Sequence, residues 1–227
     1  RSRFYNSSLC RFIDMDCLIH SGNTFAYCCN SPASMHDVCG TTGDYAYDRD
    51  KVIEYGRQYY NKQDPYYPQR SYRNNCVRFA SQCLYAGLGD DIIAEVYPEW
   101  HCYRNNQRDP ENPEEHDQTR SWRKTNYFYR FLMDSGLAYN TTRLYSGWDL
   151  GLMAEWFQYE PGDFLFFSNG NGADEFYHVA VVSAITENDI LFMGNTTDCF
   201  DASLTAWFQD PENQEKEVVI VCIADQG

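Results

Sequence analysis

The spacing of apolar residues changes near residue 160, and this change restricts the fold more than any other feature of the chain. Between residues 47 and 136, apolar side chains recur at the i, i+3, i+4, i+7 spacing of amphipathic helices. Beyond residue 160 the sequence reads FLFFS, FYHVAVVSAI, ILFMGN and EVVIVCIA, separated by turn-forming residues. Helices followed by turn-linked strands predict an α+β domain in which the N-terminal helices pack on one side of an antiparallel sheet or partial barrel.

Four helices are expected, and three of them have clear boundaries. YDRDKVIEYGRQYYNK predicts a first helix that stops before Pro65, and a third helix begins near Ser121 and ends at Gly136. A shorter helix is expected after Asp149. The polar stretch from Tyr97 to Arg120 shows no helical or strand period, which is typical of a lid or binding loop.

NNCVRFASQC, at residues 74–83, begins the second predicted helix. Its apolar stripe is made by five residues, with Asn74 or Asn75 as N-cap and Gly87 as the end: Cys76, Phe79, Ala80, Cys83 and Leu84. A thiol in the first turn lies at the positive end of the helix dipole, and Arg73 and Arg78 are close in sequence, so a thiolate is favoured at Cys76. The alternative is that both cysteines are small core residues, which is the interpretation we give Cys83.

His178 and Asn195 are the other two candidates for a catalytic role. If Ile185 faces Ile190 in a tight hairpin, Asn195 lies opposite Ala180 and shares a sheet face with His178. Close approach of the second helix to that face would place a nucleophile, a base and an orienting amide together. A register slip of one residue would separate them. Taken singly, a strand histidine and an asparagine at a strand end are ordinary structural residues.

The first 44 residues differ in composition from the rest of the chain. They contain five of the ten cysteines and no sustained apolar period, so we expect a small Cys-rich appendage at 1–44 and a main domain at 45–227. In an exported protein these cysteines would form disulfides. The alternative is a structural zinc ion held by four residues with N and S ligand atoms: Cys17, His20, His36 and Cys39.

Charge and hydropathy exclude two classes of partner. The net charge of −15 is unfavourable for binding nucleic acid, which requires clustered Lys and Arg. No segment reaches the roughly 18 apolar residues of a membrane-spanning helix.

Since the first residue is Arg1 and not Met, we expect a removed leader and an extracellular or cell-envelope location, with the cytoplasm left open. The sequence does not determine the oligomeric state.

Several motifs, taken in order, resemble those of the bacterial putative amidase domain family, a branch of the papain-like cell-wall cysteine hydrolases related to NlpC and CHAP domains. They are KQDPYYPQ, NCVRFASQCLYAGLG, SWRKTNYFYRFL, EPGDFLFF, HVAVV and NTTD. Val77 and Arg78 stand where the family usually has Thr and Asn, and Asn195 stands where it usually has His. The resemblance covers the segment from about Tyr45 to the end.

The resemblance implies a papain-like, NlpC-like fold and a Cys-His-Asn triad with Cys76 as nucleophile, His178 as base and Asn195 as orienter. The implied activity is cleavage of peptide or amide bonds, with bacterial peptidoglycan as the expected substrate and no cofactor. Two alternatives stay open: an acyltransferase that uses the same triad on another amine, and a catalytically inactive binding module of the same fold.

Overall fold

The computed structural model describes residues 47–67, 75–89, 97, 99–102, 118–170 and 175–224, together with the backbone of two short strands near the N-terminus. The helices are α1 (Arg49–Tyr59), α2 (Cys76–Leu88), α3 (Arg120–Arg123), α4 (Thr125–Asp134), α5 (Leu150–Phe157) and α6 (Leu204–Gln209). The strands are β1 (Tyr5–Asn6), β2 (Arg11–Phe12), β3 (Ala138–Tyr145), β4 (Phe164–Ser168), β5 (Phe176–Ile185), β6 (Ile190–Gly194), β7 (Cys199–Ser203) and β8 (Glu217–Ile223).

Strands β3 to β8 form one six-stranded antiparallel sheet in the order β3-β8-β4-β5-β6-β7. The α+β class and the four strands expected from the sequence are therefore confirmed. The edge strands β3 and β7 were not predicted, because most of their residues are only partly buried and their sequences, AYNTTRLY and CFDAS, lack a sustained apolar alternation.

The sheet separates two apolar cores. On one face Phe164, Phe166, Val179 and Val181 pack with buried residues of α1, α2 and α4. On the other face the alternate residues of the same strands pack with buried residues of α5 and α6. The N-terminal helices thus lie on one face as predicted, while the two later helices cover the opposite face.

Helix α2 continues one residue beyond its predicted end. Gly87 lies inside the helix, and a side chain is excluded there because Cε2 of Tyr47 and Cγ2 of Val52 stand 2.6 Å from where its Cβ would be. Gly89, with φ of 85°, is the C-cap. The third predicted helix is broken at Lys124, so α3 and α4 are separate.

A buried ion pair fixes the start of α1 to the sheet. The Arg49 guanidinium donates to Oδ1 of Asp163 at 3.0 Å and to the carbonyl oxygen of Ile223 at 2.6 Å. Asp163 is fully buried in the Pro-Gly-Asp turn before β4 and also accepts a hydrogen bond from the Ile223 N–H at 3.0 Å. Burial raises the pKa of Asp163 to about 6, although Arg49 acts against this shift. One ion pair therefore joins three segments that are distant in sequence.

Apart from the backbone of β1 and β2, the predicted appendage at 1–44 lies outside the described residues, together with its candidate zinc ligands, Cys17, His20, His36 and Cys39. Most of the polar stretch between Tyr97 and Arg120 also lies outside them. These assignments stay predictions. Within the described part of the chain, no helix combines the length and the apolar character that crossing a membrane requires.

Candidate active site

Cys76 is the first residue of α2 and is 5 % exposed. Asn75 is the N-cap, one of the two residues predicted for this position, and its carbonyl oxygen accepts the first helical hydrogen bond from Phe79. The Asn75 side chain does not cap the helix, since it donates a short hydrogen bond to the side-chain oxygen of Asn195 instead. The candidate nucleophile therefore lies at a helix start that is held from the side by Asn195, the residue that follows β6.

The surroundings of the thiol have opposing effects on its ionisation. Burial raises the pKa of Cys76, while the N–H groups of Val179 and Val77 and the hydroxyl of Thr196 act in the opposite direction. Burial is the larger influence, so the predicted net preference for thiolate is wrong. The Arg78 guanidinium points elsewhere, with Nε donating to Gln118 at 2.8 Å, and Arg73 lies outside the described residues.

The predicted register of Asn195 is wrong by one residue. The hairpin begins as expected with Ile185 opposite Ile190, but an irregularity between Val182 and Ala184 shifts the pairing, so that Val181 lies opposite Met193. Continued in that register, the strand directs Asn195 to the face that packs against α1 and α2. His178 lies on the other face, and the two side chains do not meet across the sheet.

Asn195 joins α1, α2 and the end of β6. Its Nδ2 lies 2.6 Å from the carbonyl oxygen of Tyr59, 3.0 Å from that of Tyr60 and 3.1 Å from that of Lys62. Its oxygen accepts from Asn75, and the residue is 1 % exposed. These carbonyl groups lie at and just beyond the C-terminal end of α1, where the last carbonyl groups of a helix have no intrahelical N–H donor. The Asn195 amide is thus engaged in fixing the position of Asn75 and Cys76.

The His178 side chain packs on the face that carries α5 and α6. It lies opposite Phe167 in the β4–β5 pair, and the two ring centroids are 5.3 Å apart. The neighbouring pairing of Ser168 with Phe176 makes Tyr177 the extra residue of a bulge. Burial lowers the pKa of His178 to about 4, so the imidazole is neutral at pH 7. The structure therefore brings together Cys76 and Asn195 but not His178.

A pH dependence of stability follows from His178. The unfolded imidazole, with a pKa of 6.5, takes up a proton before the folded one does, so folding loses stability as the pH falls from 6.5 towards 4. Between pH 7 and pH 4.5 we expect this group alone to remove about 2 kcal/mol from the free energy of unfolding. Urea denaturation of the wild type and of His178→Gln at both pH values measures it. An identical pH slope in the two proteins would contradict the assignment.

A cleft lies beside the start of α2. It is lined by Asn75, Asn195, Gln82, Asp64 and Trp122, among others. Of these, Asp64 was not predicted as a site residue, although the DPYY sequence that follows the first helix was noted as a motif. Within the described residues no group of three or more His, Cys, Asp or Glu side chains is arranged to hold a metal ion.

Comparison with protein families gives a match to the model described as a putative amidase domain, over residues 46–219. The chain belongs to the putative amidase domain family. The match confirms the resemblance drawn from the motifs and extends from just before α1 into β8. Membership of the putative amidase domain family indicates a hydrolase with amidase activity as the general class. No curated protein and no solved structure matches the chain.

Proposed function

We propose that this protein hydrolyses peptide or amide bonds of bacterial cell-wall peptidoglycan, with the Cys76 thiol as nucleophile. The observation that supports this most directly is the position of the thiol at the first residue of α2, within reach of N–H groups from α2 and β5. N–H groups in the first turn of a helix have no intrahelical partner and can donate to developing negative charge. The family match supports an amide as the bond cleaved.

The reaction proceeds through an acyl-enzyme. The deprotonated sulfur of Cys76 attacks the amide carbonyl carbon, the C–N bond breaks, and the amine leaves with a proton supplied by the general acid. Water then attacks the thioester, the C–S bond breaks, and the carboxylic acid and the thiol are released. The Cys76 N–H is the proposed oxyanion donor, since it lies at the start of α2.

We assign the base to His178 as a separate part of the proposal. Its backbone directly precedes Val179, whose N–H acts on the thiol. In the structure the ring lies on the opposite face of β5, so a role as base requires the bulge to move from Tyr177 to His178 and turn the ring towards α2. Asn195 then acts as a positioning residue for Cys76, because its amide is engaged with Asn75 and with the end of α1.

A catalytically inactive binding module is the second candidate. Two observations favour it: burial raises the pKa of the Cys76 thiol, and the His178 ring packs against Phe167 on the other face of the sheet. A module of this kind would keep the fold and the cleft but would neither react with electrophiles nor release product.

The deciding experiment incubates the reduced wild-type protein with purified peptidoglycan of several peptide chemistries, and identifies new amino groups and released fragments by mass spectrometry. We expect new amines to accumulate with time and in proportion to enzyme concentration. In parallel, iodoacetamide at pH 7 tests whether Cys76 is alkylated. No release from any wall preparation, together with an unreactive Cys76, would decide for the binding module.

A further inference from the structure

A second cleft runs along α2, away from the thiol, and it has no role in the chemistry described above. Its volume is about 370 Å³, within the range of about 300–1,000 Å³ that small-molecule sites occupy. It shares Asp64, Tyr67 and Gln82 with the cleft beside Asn75. Because Gln82 is six residues beyond Cys76, this shared part of the lining lies about 9 Å along the helix axis from Cys76.

Four tyrosines form the walls of this second cleft: Tyr55, Tyr66, Tyr67 and Tyr85. Trp122 packs behind two of them, with ring centroids 5.8 Å from Tyr67 and 5.9 Å from Tyr85. Trp122 is fully buried, so these two rings rest on the fixed core of the protein. Rigid rings lose little conformational entropy when a ligand binds against them.

The DPYY motif places Tyr66 at the rim. Asp64 accepts a hydrogen bond from the Tyr66 N–H at 2.9 Å, which closes a tight turn around Pro65 and leaves the Tyr66 side chain 65 % exposed. The other carboxylate oxygen accepts from the Tyr55 hydroxyl at 2.8 Å. A buried carboxylate and the Gln82 amide thus lie between aromatic walls.

This combination of groups selects one class of ligand. The buried carboxylate of Asp64 disfavours an anion, and Lys51, which lines the cleft and pairs with Asp48, adds a positive charge at its edge. A purely apolar ligand would cover the Gln82 amide and the Tyr66 hydroxyl without offering either a hydrogen bond. A neutral ring with apolar faces and hydroxyl groups at its edge matches both the walls and the polar groups.

We propose that this cleft binds a saccharide ring, with Tyr66 against a face of the ring and Asp64 and Gln82 at its hydroxyl edge. The link to catalysis rests on the proposed function, under which the cleft holds the sugar that flanks the amide bond at Cys76. Binding of the saccharide itself does not depend on catalysis.

The test uses the full chain with the Cys76→Ala substitution, which removes turnover, and an uncharged tetramer of N-acetylglucosamine as the probe. Titration followed by protein NMR is expected to give saturable binding, weakened about tenfold by Tyr66→Ala. Tyr66 is exposed, so this substitution leaves the core intact. Tyr145→Ala is the matched control, since Tyr145 is also exposed but lies on β3, outside the cleft, and its loss should not change the affinity.

Three outcomes overturn the saccharide proposal: no saturable binding of the tetramer, equal affinity in Tyr66→Ala, or binding of tetramethylammonium in place of the sugar. The last would identify the cleft as a cation site. If the tetramer binds but peptidoglycan is not hydrolysed by the wild type, the saccharide site stands and the proposed hydrolysis fails.

Discussion

Replacing Cys76 with alanine is expected to lower the rate of amide hydrolysis at least about a thousandfold, because no other group at the start of α2 can form the thioester. The side chain is 5 % exposed and belongs to the apolar core, and alanine removes only its sulfur atom. Rates of amine release from peptidoglycan, at equal concentrations of wild type and variant, measure the effect.

Cys83→Ala is the matched control. Cys83 is on the same helix and fully buried, and burial raises its pKa well above the usual range, so it has no role in the proposed reaction. We expect this variant to lose about 1 kcal/mol of stability but to keep the wild-type rate. Near-UV circular dichroism establishes that both variants are folded. Activity that survives Cys76→Ala, or that is lost equally in both variants, would exclude Cys76 as the nucleophile.

Arg49→Met is expected to lower the free energy of unfolding at pH 7 by about 3–5 kcal/mol, since it leaves the buried carboxylate of Asp163 without its cation. The loss should be smaller at pH 5. There Asp163, whose pKa burial raises to about 6 even beside Arg49, can be neutralised at little cost. The sign is opposite to that of His178: the raised pKa of Asp163 means that its contribution to stability declines as the pH rises from 3.8 through 6.

Two variants serve as controls for the ion pair. Lys51→Met, on the same helix, breaks the exposed pair between Lys51 and Asp48 at 3.1 Å and should cost less than about 1 kcal/mol. Asp163→Asn combined with Arg49→Met should be more stable at pH 7 than Arg49→Met alone, because no uncompensated charge remains. Urea denaturation at pH 7 and pH 5 measures all four proteins. Equal costs for Arg49→Met and Lys51→Met would show that the buried pair adds nothing.

Helices and strands were predicted correctly where their apolar residues follow one period without interruption. The helical spacing of Val52, Gly56 and Tyr59 predicted α1, and the apolar segments beginning at Phe164 and Phe176 predicted β4 and β5. The edge strand β3 was missed because it lies at the margin of the sheet and has no continuous apolar face.

The candidate site was harder to predict because it depends on a one-residue shift in strand pairing and on the burial of one side chain. The irregularity between Val182 and Ala184 turns Asn195 to the other face, and no residue type in VVSAI indicates that it is there. The pKa of Cys76 was predicted in the wrong direction for a similar reason. Helix position and nearby arginines can be identified from sequence, but the burial that outweighs them arises from tertiary packing of α2 on β5.

The sheet order has a consequence for how the protein is made. Strand β8 is the latest strand in the sequence, yet it pairs with both β3 and β4 and so occupies the interior of the sheet. Until β8 has left the ribosome, β3 has no neighbour and β4 has one open edge, and both can pair with other nascent chains. Since Arg49 also bonds to the carbonyl oxygen of Ile223 in β8, this bond between the helix layer and the sheet forms only at that late stage. We therefore expect truncation before residue 217 to yield aggregates rather than a smaller folded domain.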